Sequence, residues 1–298
     1  MTPQKSPEDI KRELRGPVNP IPTPFLADGQ LDWEGFRNII EVGITGGSPV
    51  SLLTYGDGQF DFLSDDEVAQ LTRCLVEQTA GRALTVAATR FWPDSKAVDF
   101  AHFCKEIGVD VLMVRPIARA LPPGQIRQYR AVAQVLPVML VGFPSHAILD
   151  ALVDEPNICC FKEDGSLDYT VDTIQKYGQY WKFMTGGGLW RNYAQWPWRQ
   201  ESFFCFFSSF APHLAARYWQ AVQDLDVAAA GEIIRDIEYP FKYLASRVSG
   251  GFQSLWRVTL ELNGVAARYL RLPLDSASDE EVEKIKEPLD RLGLLVKP

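Results

Sequence analysis

The stretch NICCFKEDGS, residues 157–166, runs four apolar residues straight into Lys162 and then breaks into an acidic, glycine-containing turn. A short apolar run closed by turn residues reads as a buried strand, so the lysine is delivered to a strand end. Seven more runs of this kind occur, at 16–22, 49–55, 83–89, 109–115, 136–142, 180–186 and 201–207. Between them lie longer stretches of helical period. Ser64 and Glu67 form a capping box ahead of EVAQLTRCLVEQ, and Asp94 starts a helix that Gly108 stops. Strand then helix, repeated, implies parallel pairing through right-handed crossovers. Eight such units predict a (β/α)8 TIM barrel, which typically needs about 250 residues. An open doubly wound sheet is the alternative, and it lacks a GxGxxG opening the first helix. Helical patterns near 212–226, 228–247, 253–263 and 278–291 follow the last strand. The expected organisation is an N-terminal extension over 1–15, a barrel over 16–226 and a C-terminal helical extension over 227–298.

The 298 residues are 46% hydrophobic and 23% charged, enough apolar material for a substantial core, so disordered and fibrous classes fit poorly. A formal charge of −8 leaves no basic footprint for nucleic acid or anionic membrane. The polar N-terminus lacks a signal-peptide core and no segment reaches the roughly 18 apolar residues of a span, so a cytoplasmic protein is expected. Cys74, Cys104, Cys159, Cys160 and Cys205 make an odd count without a CxxC pair, and His102, His146 and His213 are scattered. Reduced core thiols, no metal site and no cofactor are the expectation.

In a barrel of this kind chemistry is built where strands end. Lys162 closes the sixth run. An amine that attacks a carbonyl must be neutral, yet a free lysine has a pKa of about 10.4 and is less than about one part in a thousand neutral at pH 7. Lowering that pKa to about 7.5 means disfavouring the ammonium by about 4 kcal/mol, through desolvation or a nearby cation such as Arg115. The bland alternative has Lys162 reaching solvent or pairing with Glu163 or Asp164.

Five segments in order, PIPTPFLADGQLD (20–32), YGDGQFDFLSDDEV (55–68), LPVMLVGFPS (136–145), FKEDGS (161–166) and TGG (185–187), resemble the dihydrodipicolinate synthase and N-acetylneuraminate lyase family over nearly the whole chain. The resemblance implies a (β/α)8 barrel with a C-terminal helical extension, a homotetramer or homodimer, and Lys162 as the residue that forms a Schiff base with pyruvate or another 2-oxo acid. The protonated imine would act as an electron sink.

The family pattern is broken in several places. Val141 stands where a proton-shuttling tyrosine ends strand five, and valine moves no proton. Tyr55-Gly56-Asp57-Gly58-Gln59 replaces the Gly-Thr-Thr-Gly-Glu turn; its backbone N–H groups still suit an anion, while Asp57 would repel one. Arg115-Pro116-Ile117 replaces Pro-Tyr-Tyr, which argues against lysine-pathway synthase activity and offers Arg115 as a carboxylate partner or a rim salt bridge. His146 stands where synthases carry an arginine, as a weaker anion contact or a helix start. QFDFLS shows some likeness to the sugar-acid dehydratase branch. Asp57 and Tyr55 are the candidates to rebuild the proton relay, Asp57 with a raised pKa, and simple packing is the bland reading of Tyr55. Gly186 and Gly187 either make room for substrate beside Lys162 or, with the following helix, hold a phosphate. The stretch 189–200, LWRNYAQWPWRQ, walls a pocket, meets another subunit or packs on the barrel.

Two hypotheses of different class follow. One is a Schiff-base lyase of aldolase or dehydratase type, with Lys162 and Asp57 catalytic and Tyr55, Gly56, Gly58, Arg115, Val141, Gly186 and Gly187 around a small oxo acid or sugar acid. The other is a degenerate barrel that binds a small carboxylate or a partner without turnover.

Overall fold

The computed structural model describes residues 4–295. The first three residues of the expected N-terminal extension and the last three of the C-terminal one lie outside the described residues. Eight parallel strands close on themselves in sequence order: β1 (Gly16–Ile21), β2 (Val50–Leu53), β3 (Leu84–Ala88), β4 (Val111–Met113), β5 (Val138–Gly142), β6 (Ile158–Glu163), β7 (Lys182–Thr185) and β8 (Ser202–Phe204). The ring is completed where Gly16 of β1 pairs with Ser202 of β8. Nearly every strand residue is buried, as expected where helices cover the outer face of a parallel sheet and side chains fill its inside. Each of the eight apolar runs contains a strand, but the last is much shorter than its run. The backbone turns at Cys205 and continues as a 3₁₀ turn over Phe206–Ser209, whose rings pack against Phe241, Phe252 and Trp256.

Helices α1 (Pro7–Glu13), α2 (Trp33–Thr45), α3 (Asp65–Thr79), α4 (Asp94–Ile107), α5 (Pro122–Ala133), α6 (His146–Asp150), α7 (Leu167–Tyr177), α8 (Leu189–Ala194) and α9 (Pro212–Asp224) accompany the barrel. The capping box at α3 is formed, with Ser64 Oγ accepting from Glu67 N at 3.1 Å and Glu67 Oε2 accepting from Ser64 N at 2.7 Å. Gly108 ends α4 with a left-handed φ of 88°. Asp94 is the first helical residue, and Pro93 holds the cap position. The Asp94 carboxylate instead accepts from Arg127 Nε at 2.7 Å, joining α4 to α5.

Beyond α9 come α10 (Val227–Ile233), a π-helical turn (Ile234–Glu238), α11 (Tyr239–Tyr243), α12 (Gly251–Leu262) and α13 (Asp279–Arg291). Pro240 cannot donate a backbone hydrogen bond to the preceding turn, which accounts for a slipped register there. The segment after α12 is tied to the first two βα loops. Arg271 donates to both Glu67 carboxylate oxygens at 2.8 and 2.9 Å and to Gly29 O, with its guanidinium 4.6 Å from the Phe25 ring. This anchoring lays α12 across the barrel mouth, where Trp256 Nε1 donates to Ser209 Oγ at 2.9 Å. All five cysteines are buried free thiols. No helix among the described residues is long and apolar enough to cross a membrane.

The two reciprocal bonds of the α3 box are worth about 1 kcal/mol. Ser64→Ala is therefore expected to lower the melting temperature by about 2 °C, measured by calorimetry, and no change would refute the assignment.

Candidate functional site

Alternation along β6 places Lys162 and Glu163 on opposite faces of the barrel wall. Glu163 is fully buried on the outer side, where its carboxylate accepts from Arg191 Nη2 at 2.6 Å, from Gln195 Nε2 at 2.9 Å and from the Thr170 hydroxyl. These bonds tie the end of β6 to α7, α8 and the turn that follows. Lys162, 8% exposed, stands at the mouth with its Nζ 2.5 Å from Asp164 Oδ1 and 5.6 Å from the centre of the Phe204 ring. An irregularity in the β5–β6 pairing passes over Cys159, after which Val141 lies directly beside Lys162. The absence of a side chain at Gly186 lets the Asp164 carboxylate in, because a Cβ there would lie 2.0 Å from its Oδ1.

The charge state of Lys162 differs from the expectation of a depressed pKa. Burial does act in that direction and is the largest influence. Against it stand the charges of Asp164, Tyr55 and Asp57 and the hydrogen bond that Lys162 donates to Asp164, and together they raise the lysine above its ordinary value. The resting amine is an ammonium in an ion pair. Arg115 is not the cation that would lower it: its guanidinium is stacked between Phe91, 3.6 Å from the ring centre, and Tyr55, at 4.2 Å, with Asp61 3.8 Å away. Tyr55 stacks on Arg115 and also lies near enough to Lys162 and Asp164 for their charges to act on its phenol.

Beside the Lys162–Asp164 pair opens a cavity of about 490 Å³, lined by both residues together with Asp57, Gly187, Phe204, Phe206, Lys242 and Phe252. Asp57 is half-buried on the cavity wall. Its carboxylate accepts from the Gln253 amide, and its backbone carbonyl accepts from Arg257 Nη2 at 2.6 Å. Removal from solvent pushes the Asp57 carboxyl up, more than Gln253, Lys162 and Arg257 pull it down. A general acid at this position needs that direction, and a neutral carboxyl does not repel an anion as the charged one would.

The glycine-rich turn after β2 is folded on itself. Gly58 N donates to Thr54 O at 3.0 Å, and Gly56 is exposed and does not line the cavity, so neither supplies the carboxylate cradle expected of the turn. Of the glycines after β7, Gly187 lines the cavity. Gly186 N donates to Glu163 O at 3.0 Å. Gly188, with φ of 115°, leaves space for Glu238, whose Oε1 would be 2.3 Å from an added Cβ. Glu238 is fully buried and accepts from Leu189 N at 3.0 Å and Trp190 N at 2.9 Å. The amides that would have held a phosphate are taken by the protein's own carboxylate. His146 opens α6 with its Nε2 3.2 Å from Asp172, away from the cavity lining. In the stretch 189–200, Leu189, Asn192 and Gln195 are buried, and Trp196 packs against Tyr193 and Tyr218.

The family profile described as the dihydrodipicolinate synthetase family matches residues 13–292. The chain belongs to this family. Among similar proteins, "Probable 5-dehydro-4-deoxyglucarate dehydratase 1" of Streptomyces coelicolor is 25% identical over 312 aligned positions covering 96% of each chain. The crystal structure of dihydrodipicolinate synthase from Bacillus clausii superposes with a TM-score of 0.86 at 22% identity, covering 96% of this chain and 100% of that one. The pyruvate complex of YagE, a family member from Escherichia coli K12, gives 0.82 at 21% identity, covering 94% and 99%.

Strand ends alone do not build this family member's cavity. Lys242 of α11 and Phe252 of α12 line it and Gln253 of α12 holds Asp57, all three from the C-terminal helices and none from a strand end. Asp164 was readable only as a partner that would silence Lys162, not as a member of a lined cavity. A sequence signal existed for Arg257, the one cation inside the apolar stretch of α12, and it is fully buried with all its bonds to Thr23 O, Asp57 O and Gln253.

A carboxyl whose folded pKa is raised keeps its proton over a pH window in which the unfolded chain has already lost it. Stability therefore falls as pH climbs from about 4 and levels off once the folded group ionises. Asp57→Asn removes this loss. Its stability relative to the parent protein is expected to grow across that window in urea melts taken at successive pH values, and a difference independent of pH would contradict the burial argument.

Proposed function

We propose that the protein is a Schiff-base lyase whose Lys162 condenses with the carbonyl of a 2-oxo acid, and that its reaction is the dehydration of a sugar acid. The observation that carries this reading is the buried amine in contact with a carboxylate, on the wall of a cavity that also holds a second carboxyl, Asp57, which burial pushes up. Asp164 takes the proton of the ammonium, which frees the amine to add to the carbonyl carbon. The same proton returns to the carbinolamine oxygen, which leaves as water and yields the iminium ion. Asp164, a carboxylate again, then takes a proton from the adjacent carbon to give an enamine, the enamine expels hydroxide from the next carbon as Asp57 protonates it, and water hydrolyses the resulting conjugated iminium to free Lys162. The two acids together do the work that a tyrosine at Val141 would do. The full-length similarity to the Streptomyces protein supports dehydration over carbon–carbon cleavage, and the cavity has room for a sugar acid.

A second reading is favoured by one observation: Val141 puts an inert side chain beside the lysine, and the lysine is held as an ion pair. On that reading the barrel binds a small carboxylate without turnover.

Borohydride reduction in the presence of pyruvate and a panel of sugar acids, followed by mass spectrometry, separates the two. The expected result is an adduct on Lys162 that Lys162→Ala abolishes, formed about 100-fold more slowly in Asp164→Asn. A ligand that raises the melting temperature reversibly and leaves no adduct would establish binding alone.

A further inference from the structure

Gln253 and Arg257 stand four residues apart in α12, one turn from each other on the same face of the helix. Arg257 is fully buried, and its guanidinium, which can only donate, aims each of its N–H groups at a carbonyl oxygen. Nε and Nη2 reach Thr23 O at 3.4 and 3.1 Å, and Nη2 also reaches Asp57 O at 2.6 Å. Nη1 reaches Gln253 O at 3.1 Å and the side-chain Gln253 Oε1 at 3.0 Å. The last of these contacts fixes the Gln253 amide: with its oxygen held by a buried cation, its NH2 group turns the other way. There Gln253 Nε2 donates to Asp57 Oδ1. Asp57 Oδ2 has no hydrogen-bond partner among the described residues and is not sealed from solvent, so on the cavity wall it faces the open space. Burial pushes this carboxyl toward its neutral form, and the oxygen that then carries the proton decides where the acid acts.

We infer that Gln253 is a positioning residue, oriented by Arg257, that confines the proton of Asp57 to Oδ2, the oxygen open to the cavity. The reason lies in the direction of the hydrogen bonds. An oxygen that faces an N–H donor accepts from it, and an O–H placed along the same line would set two hydrogens against each other. A neutral Asp57 therefore carries its proton on the other oxygen. The amide cannot reverse itself to accept a proton from Oδ1, because its NH2 group would then face Arg257 and leave a buried cation short of an acceptor. Delivery of the Oδ2 proton to the departing hydroxide rests on the lyase reading above, whereas its placement on Oδ2 does not. A plain strut between α12 and the turn after β2 would hold the two elements together equally well and would not distinguish one carboxyl oxygen from the other.

The placement is read without any substrate from infrared difference spectra of the protein against Asp57→Asn, recorded across the pH range in which this carboxyl titrates. In the parent the carbonyl oxygen of the neutral acid accepts from Gln253, which weakens its C=O bond. Gln253→Met removes that donor and leaves the Arg257 contacts to Thr23 O, Asp57 O and the backbone carbonyl of residue 253 in place. It is expected to move the carbonyl band to higher frequency and the titration midpoint to higher pH, because a lost donor no longer favours the carboxylate. Gln253→Glu keeps the shape and the hold on Arg257 but offers Oδ1 an acceptor, which draws the proton away from the cavity. With a sugar acid that labels Lys162 in the trapping experiment, Gln253→Glu is expected to lower the rate of dehydration relative to imine trapping about 100-fold, the worth of one general acid. A band and midpoint unmoved in Gln253→Met overturn the placement whatever the protein catalyses. Dehydration in Gln253→Glu at the parent's ratio overturns it while the lyase reading stands. The spectral shifts in a protein that forms no adduct and dehydrates none of the acids sustain the placement and defeat the lyase reading.

Discussion

The site depends on the buried contact between Lys162 and Asp164. An ammonium withdrawn from water needs a compensating charge, and a carboxylate two residues further along the chain provides it without recruiting another element. The same contact reverses the simplest account of a reactive lysine. Instead of standing neutral, the amine is paired with a carboxylate within hydrogen-bond reach, and that pairing favours its charged form. That arrangement requires Gly186, whose missing side chain admits the Asp164 carboxylate, and it requires β6 to be held still. Glu163, on the opposite face of the same strand end, supplies the restraint through Arg191, Gln195 and Thr170.

A barrel of parallel strands provides the platform, and the helices after α9 complete the site. Arg271 fastens the segment beyond α12 to the loops after β1 and β2, and α12 thereby reaches Asp57 with Gln253 and Arg257. The π-helical turn before Pro240 precedes α11, which presents Lys242 to the cavity wall. Glu238 at the end of that turn closes the amides of α8. The three consecutive glycines at 186–188 belong to this arrangement. Two of them make room for the protein's own carboxylates, Asp164 and Glu238, and the third borders the cavity. A motif that looks like a cradle for a ligand anion therefore serves mostly to let internal acids approach the backbone.

Departures from the family pattern acquire physical meaning in this setting. Val141 removes a proton carrier beside Lys162 without disturbing the register, since the β5–β6 pairing still aligns the two residues. Asp57, which reads in isolation as an obstacle to an anionic ligand, is driven toward its neutral form by burial. Arg115 is caught between two aromatic rings, where its charge faces Asp61 at the rim and not the cavity.

The succession of eight apolar runs with helical stretches between them was enough to establish the barrel. Parallel strands buried on both faces must be continuously apolar, and each must be followed by a crossover. Lys162 was legible for the same reason, as a charge at the end of such a run. The Ser64–Glu67 box and the Gly108 stop were legible because capping is local chemistry between residues three or four apart. Tertiary structure alone decided that Asp164 and not Glu163 meets the lysine, that the glycine turn after β2 uses the Gly58 N–H internally, and that Arg115 stays on the rim. It also brought Lys242, Phe252, Gln253 and Arg257 across the mouth from as far as 234 residues away. The reason is physical: periodicity determines which face a residue occupies within its own element, whereas the partner it meets depends on how distant elements pack against that face.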